Sequence, residues 1–401
     1  MTNLIVREPL LNPSLQVLGY ELTMQKDGNQ SPSDADLEYI LRYVDENFVS
    51  SIRGWLLGPY RLFLEVTPSH LSSASLQALP PDRIVLSMDG ARLGEAAAQD
   101  AIKEYRKRGF GIALRNIAPY AVEDELRPLV TYLEINCSHT NARAVAKAYG
   151  SLQQLPMAKM VGKNIDSWRD YEACVSLGLD AFSGRFYLEP ASPIVKKELN
   201  PTQTIILKAL DLLNRNADVS LVENELKHDP GITFKLLRYI NSAGIGIGAE
   251  VNSLRHAVTY LGYSTLTKWL SLLLATSSTA ANAGVLVETA IIRGRFVELL
   301  SRKRLTNNEA DQLFIAGLFS LLDRLLGIPM EDVLKQVRLS KNVQDALLSR
   351  SGVFAPYLSI AEACELKHGT AKAAVDRLHI TSDRIDAANL GAMAWARQVQ
   401  V

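Results

Sequence analysis

The sequence predicts an α/β unit followed by an all-helical unit, and three observations carry that reading. Up to about Pro193, short β-rich runs alternate with helical stretches. Turn punctuation then follows at Pro190, Pro193 and Asn200-Pro201. From there to the C-terminus the apolar residues recur at helical spacing. A chain of 401 residues is long for one domain and suits two.

In the first half the β-rich runs are Val17–Met24, Arg61–Val66, Arg83–Asp89, Gly111–Ile117, Tyr132–Asn136, Lys159–Lys163 and Ala181–Tyr187. Helical patterns such as Asp100–Arg108 and Trp168–Leu177 lie between them. Parallel strands need crossovers, so strand and helix in alternation imply a parallel sheet with helices outside. Seven candidate strands in so short a stretch predict a shortened (β/α) barrel. An open doubly wound sheet is the alternative, although no glycine-rich phosphate loop follows the first run.

The second half is punctuated by helix signals. Ser220 with Glu223 reads as a capping box for Leu221–Lys227. Asp229 before Pro230 reads as an N-cap opening a helix to about Ile240. Ser253 caps Leu254–Leu261, Gly262 closes that helix, and Ser264 starts the next one, which contains Trp269. From Asn308 further helices follow, ending near Trp395.

Composition bounds the function. Lys plus Arg equals Asp plus Glu at 43 each, which argues against a generally basic nucleic-acid binder. The cysteines Cys137, Cys174 and Cys364 show no paired spacing and read as buried thiols, neither disulfides nor zinc ligands. The N-terminus has no basic start with an apolar signal core. The apolar stretch Trp269 to Ala275 is too short to span a bilayer. The expectation is a cytoplasmic protein with no membrane or nucleic-acid partner.

The first half resembles the EAL domain, a TIM-type barrel that hydrolyses cyclic di-GMP in its active members. The resemblance rests on Val6-Arg7-Glu8-Pro9-Leu10, Gly19-Tyr20-Glu21-Leu22, Arg108-Gly109-Phe110-Gly111-Ile112-Ala113-Leu114, Tyr132-Leu133-Glu134-Ile135-Asn136 and Ala181-Phe182-Ser183-Gly184-Arg185-Phe186-Tyr187-Leu188-Glu189-Pro190. It covers about residues 1–195. The second half, residues 196–401 with its signature in 200–280, resembles the HDOD module, an all-helical relative of HD phosphohydrolases. Its signature runs His228-Asp229-Pro230-Gly231-Ile232-Thr233, Leu236-Leu237-Arg238-Tyr239-Ile240-Asn241-Ser242-Ala243 and Asn252-Ser253-Leu254-Arg255-His256-Ala257-Val258.

The EAL resemblance implies two divalent ions held by carboxylates and an amide at the strand C-termini, activating a water against a phosphodiester. Of that set Glu21 stands unchanged. The next amide position holds Glu65, the following carboxylate position holds Ser87, and the paired aspartates are Arg115 and Asn116. The lysine and aspartate of the fifth strand are Glu134 and Asn136, the late glutamate is Gly162 or Lys163, and the glutamine before Gly184 is Ser183. Glu21, Glu65 and Asp89 are then a remnant of the site. Arg115, Lys163 and Arg185 lie at the strand mouths, as phosphate or partner contacts or as salt-bridged rim residues.

The HDOD half offers no catalytic constellation either. Asp229 reads as a helix cap, and His228 ends the preceding helix. The metal pair implied by the HD superfamily falls on Ser320 and Leu321, with Asp323 displaced from it. Ile245 and Ile247 in the Gly244–Gly248 run are candidate partner-contact residues. The sequence thus predicts no enzyme, no catalytic residues, no metal and no cofactor. It predicts a signalling adaptor whose partners are response regulators, diguanylate cyclases or other signalling proteins, with self-association also open. A non-hydrolysing cyclic di-GMP sensor is the alternative, and a residual metal-dependent phosphodiesterase using Glu21, Glu65 and Asp89 is a third.

Overall fold

Eight strands close the N-terminal unit into a barrel: Leu4–Leu11, Val17–Gln25, Arg61–Glu65, Ile84–Asp89, Gly111–Arg115, Tyr132–Asn136, Lys159–Lys163 and Ala181–Phe182. The computed structural model describes residues 3–26, 31–50, 52, 54–116, 125–138, 142–152, 158–190, 194, 199–229, 231–232, 234–235, 253–365 and 371–398. The chain divides into two units, Met1–Ala191 with Ala363–Thr370, and Ser192–Glu362 with Ala371–Val401.

The first two strands form an antiparallel hairpin, with Glu8 opposite Glu21. The first strand also meets the last antiparallel, pairing Leu11 with Phe182, and that contact closes the barrel. The remaining pairings are parallel. Between the parallel strands run helices that include Asp34–Phe48, Ala96–Lys107 and Trp168–Leu177. Ser33 and Asp36 cap the first of these reciprocally, and Ser167 caps the third by accepting from the Asp170 N–H.

Along a strand successive side chains alternate between the barrel's interior and its helix-covered outside. The interior is filled at mid-height by Leu10, Phe63, Val85, Ala113, Tyr132, Val161 and Ala181. Phe63 and Tyr132 meet edge to face at 5.0 Å in this layer. The layer makes the barrel a packed core, with chemistry confined to its two ends.

Two expectations are corrected here. Leu4–Leu11 is a barrel strand, although Arg7, Glu8 and Pro9 break its apolar pattern; all of its residues are buried. The strand expected over Ala181–Tyr187 stops at Phe182, because Gly184 turns the chain at φ 145° and Phe186–Leu188 then coils into a 3-10 turn.

The helices of the other unit include Pro201–Asn214, Val219–Leu226, Leu254–Thr276, Ala283–Ser301, Asn307–Phe319, Lys341–Leu348 and Ser382–Gln398. Ala283–Ser301 is buried on most faces, including Phe296, Val297 and Leu300, and is the centre of this unit's core. Ser253 accepts from the His256 N–H to start Leu254–Thr276, and that helix breaks at Gly262. Ser220 does not form the expected capping box. Asp218 caps instead, accepting from the Ser220 N–H at 2.8 Å, so the helix begins one residue before Ser220. Asp229 accepts from the Gly231 N–H at 3.0 Å and from the Thr202 hydroxyl at 2.8 Å.

Among the described residues no helix is long and apolar enough to cross a membrane. The cysteines are buried free thiols, but two of them are neighbours, contrary to their spacing: Cys137 and Cys174 approach to 3.8 Å between sulfurs. Hydrogen bonding to Cys174 and burial both push the Cys137 thiol up.

Candidate functional site at the barrel mouth

The interior-facing positions beyond the apolar layer carry polar side chains toward the C-terminal ends of the strands. Two residues on from Phe63, Ala113 and Val161 stand Glu65, Arg115 and Lys163; after Val85, Tyr132 and Ala181 come Ser87, Glu134 and Ser183. Period-two alternation therefore delivers a charged ring to the mouth, where (β/α) barrels keep their sites.

The ring is internally paired. Lys163 Nζ donates to Glu21 with both side chains almost fully buried. Arg115 donates to Glu65, and its side chain stays 27% exposed. The Ser87 hydroxyl donates to Glu134 at 3.0 Å, and the Ser183 hydroxyl to Glu8 at 3.1 Å. Arg185 sits at the rim, half-exposed, 3.2 Å from Asp166. Burial alone would lower the Arg115 pKa, but Glu65, followed by Glu134 and Asp89, holds it above its ordinary value.

Gly184 positions the last part of this ring. A Cβ at that residue would come within 2.1 Å of the Ile165 carbonyl oxygen, so only glycine lets the chain pass between Ser183 and Arg185.

Glu21, Glu65 and Asp89 are not brought together as one ligand set. Glu21 is held by Lys163 and Glu65 by Arg115, while Asp89 accepts from the Ala91 N–H at 3.0 Å and from the Asn116 amide at 3.2 Å. Among the described residues no three His, Cys, Asp or Glu side chains are grouped to hold a metal. The two-metal arrangement that the EAL resemblance implies does not fit the residues present, because cations already occupy the positions where ions would sit. Ser87, Glu134 and Ser183, which the EAL resemblance sets at site positions as replacements for its ligands, join the ring through hydrogen bonds. Glu8 joins it without having been singled out, because the first strand was not read as one.

In the helical unit, Ser320 is paired with a cation. Arg293, 3% exposed, donates to the Ser320 hydroxyl at 2.7 Å and reaches Glu362 at 3.3 Å. A buried guanidinium thus fills the surroundings of Ser320. Asp323 nearby is half-buried with its Oδ1 shut off from solvent, and that desolvation pushes its carboxyl up. Ile245 and Ile247 lie outside the described residues.

Residues 199–343 match the family model of the HDOD domain. The chain carries an HDOD domain. Over 370 residues the chain is 25% identical to the protein named cyclic di-GMP phosphodiesterase CdgJ of Vibrio cholerae, a likeness covering 91% of this chain and 85% of that one. It is 23% identical to the YuxH protein of Bacillus subtilis over 90% of each chain. Among solved structures, a standalone EAL protein from Vibrio cholerae O395 in its c-di-GMP-bound form aligns with 45% of this chain and 89% of its own, at 11% identity and a TM-score of 0.35.

The Vibrio relative corrects one expectation directly. The absence of a familiar catalytic set predicts that the chain is no enzyme, but a relative matching HDOD domain and barrel together is named for a phosphodiesterase activity.

Proposed function

We propose that this HDOD protein works in cyclic di-GMP signalling and takes up the dinucleotide at the C-terminal mouth of its barrel. The observation that carries the reading is Arg115, a guanidinium anchored to Glu65 with more than a quarter of its side chain open to solvent. Arginine has five N–H donors in a planar fork, so one edge can hold Glu65 while the other meets a phosphate. Arg185 at the rim, half-exposed beside Asp166, is a second guanidinium open to solvent there. The glutamates of the ring are acceptors suited to the N–H edge of guanine. Glu21 and Glu65 are committed to Lys163 and Arg115.

A thermal melt tests the assignment. Ligand that binds only the native state raises Tm with concentration. Cyclic di-GMP raises the Tm of the wild-type chain, and Arg115→Gln, which keeps a hydrogen-bonding side chain beside Glu65, removes most of that rise. An equal rise in the variant places uptake elsewhere.

A protein-docking role for the HDOD domain, toward response regulators or diguanylate cyclases, is a second reading. It is favoured by two large apolar side chains exposed within the matched region, Leu221 at 51% and Phe234 at 66%. Leu221→Asp with Phe234→Asp leaves the melting temperature unchanged and abolishes pull-down of such a partner. Undiminished pull-down removes that reading.

A further inference from the structure

At the opposite end of the barrel, a cavity of about 380 Å3 opens among the N-terminal ends of the parallel strands. It is lined by Arg61, Arg106 and Lys159, with the hydroxyl-bearing Thr131 and Tyr132 beside them. The same alternation that sends Glu65 and Lys163 to the mouth sends Arg61 and Lys159 to this end, two residues before Phe63 and Val161.

The two ends differ in how their cations are satisfied. At the mouth Arg115, Lys163 and Arg185 each face a carboxylate. At the N-terminal end Arg61 donates to the Tyr132 hydroxyl at 3.1 Å, a neutral partner. Arg106 donates to the Phe110 carbonyl oxygen at 2.8 Å, and its Nε is buried with no partner. Lys159 is exposed and forms no ion pair among the described residues. The acidic residue of the lining, Asp82, lies 3.1 Å from Arg83, which draws its charge aside. Three cations in a concave site with one committed carboxylate focus a positive field, and a buried guanidinium Nε left unpaired is costly unless something accepts from it. The volume falls within the roughly 300–1,000 Å3 of small-molecule sites.

We infer that this cavity is a binding site for a phosphate-bearing small molecule. Arg61, Arg106 and Lys159 hold the phosphate oxygens, and the Tyr132 hydroxyl, which accepts from Arg61, donates its own proton to them. The site lies across the apolar layer from the mouth, so its ligand is held apart from the compound taken up there. The inference stands apart from the cyclic di-GMP reading, since none of these residues belongs to the mouth.

Calorimetric titration of the full chain with inorganic pyrophosphate, and separately with GMP, tests the site at physiological ionic strength. At least one probe binds saturably, and Lys159→Glu combined with Arg61→Gln weakens it by at least about tenfold, the loss expected for one charge-assisted hydrogen bond. Lys227→Gln, on the helical unit, leaves it unchanged. Tighter binding of pyrophosphate marks a free polyphosphate as the natural ligand, and tighter binding of GMP marks a nucleotide. Should the double variant lose its fold by circular dichroism, Lys159→Gln alone carries the same comparison. Absence of saturable binding by both probes, or binding that survives the Lys159 substitution undiminished, overturns the assignment.

Discussion

Lys163 and Glu21 form a buried ion pair inside the barrel although 142 residues separate them in the chain. The lysine ends the seventh barrel strand and the glutamate lies in the second, so closure of the barrel is what brings them together. A carboxylate in so dry a place depends on its cation.

Removing one partner is therefore worse than removing both. Lys163→Met leaves Glu21 buried without its cation and lowers stability by about 3–5 kcal/mol. Lys163→Met with Glu21→Leu recovers most of that loss, because two apolar side chains of similar volume need no compensation. Urea unfolding of the two single variants and the double variant measures the coupling.

In the helical unit Gly317 and Gly294 mark where the helices Asn307–Phe319 and Ala283–Ser301 touch backbone to backbone. A Cβ on Gly317 would stand 2.6 Å from the Gly294 Cα. Gly317→Ala gains about 1 kcal/mol of helix propensity and loses about 1–3 kcal/mol to overpacking, so the melting temperature falls. Gly284→Ala, near the start of the same central helix, meets nothing within 4 Å and raises it.

Asp323 gives the pH prediction. Its Oδ1 is buried with no hydrogen-bond partner, and burial raises its pKa above the ordinary 3.8. A raised folded-state pKa means that protonation favours the native state. This contribution is complete below the unfolded pKa and is lost as pH rises through the folded one. At neutral pH the ionised carboxylate is a burden, so Asp323→Asn raises Tm by a few degrees. The advantage shrinks as pH is lowered toward 4 in a series of melts.

Much of the fold was legible where local signals agree. Trp168–Leu177 is the helix its flanks announce, with Ser167 as cap and Gly178 in the left-handed conformation at its end. Tyr132–Asn136 and Lys159–Lys163 are strands to the residue. Leu4–Leu11 was not legible, because its charged residues are satisfied from far away: Arg7 pairs with Glu365 at 3.0 Å, both buried. The helix start at Val219 was misread because Ser220 and Asp218 are both good caps and only the backbone decides between them. Of the site, the strand-end positions of Glu65, Arg115 and Lys163 were readable, and so was Glu21 within the second strand. Which carboxylate would meet which cation was not, since that follows from closure and stagger across the barrel. Whether the chain does chemistry was not readable from missing ligands, and a relative corrected that reading.

The most direct test of the account is calorimetric titration of the intact chain with cyclic di-GMP, with the nucleotide recovered and chromatographed afterwards. Saturable uptake at one site per chain, weakened at least about tenfold by Arg115→Gln, is the expected result. The chromatogram records whether the bound nucleotide is also cleaved. An absence of binding heat across a range of temperatures, with the nucleotide recovered unchanged, would contradict it.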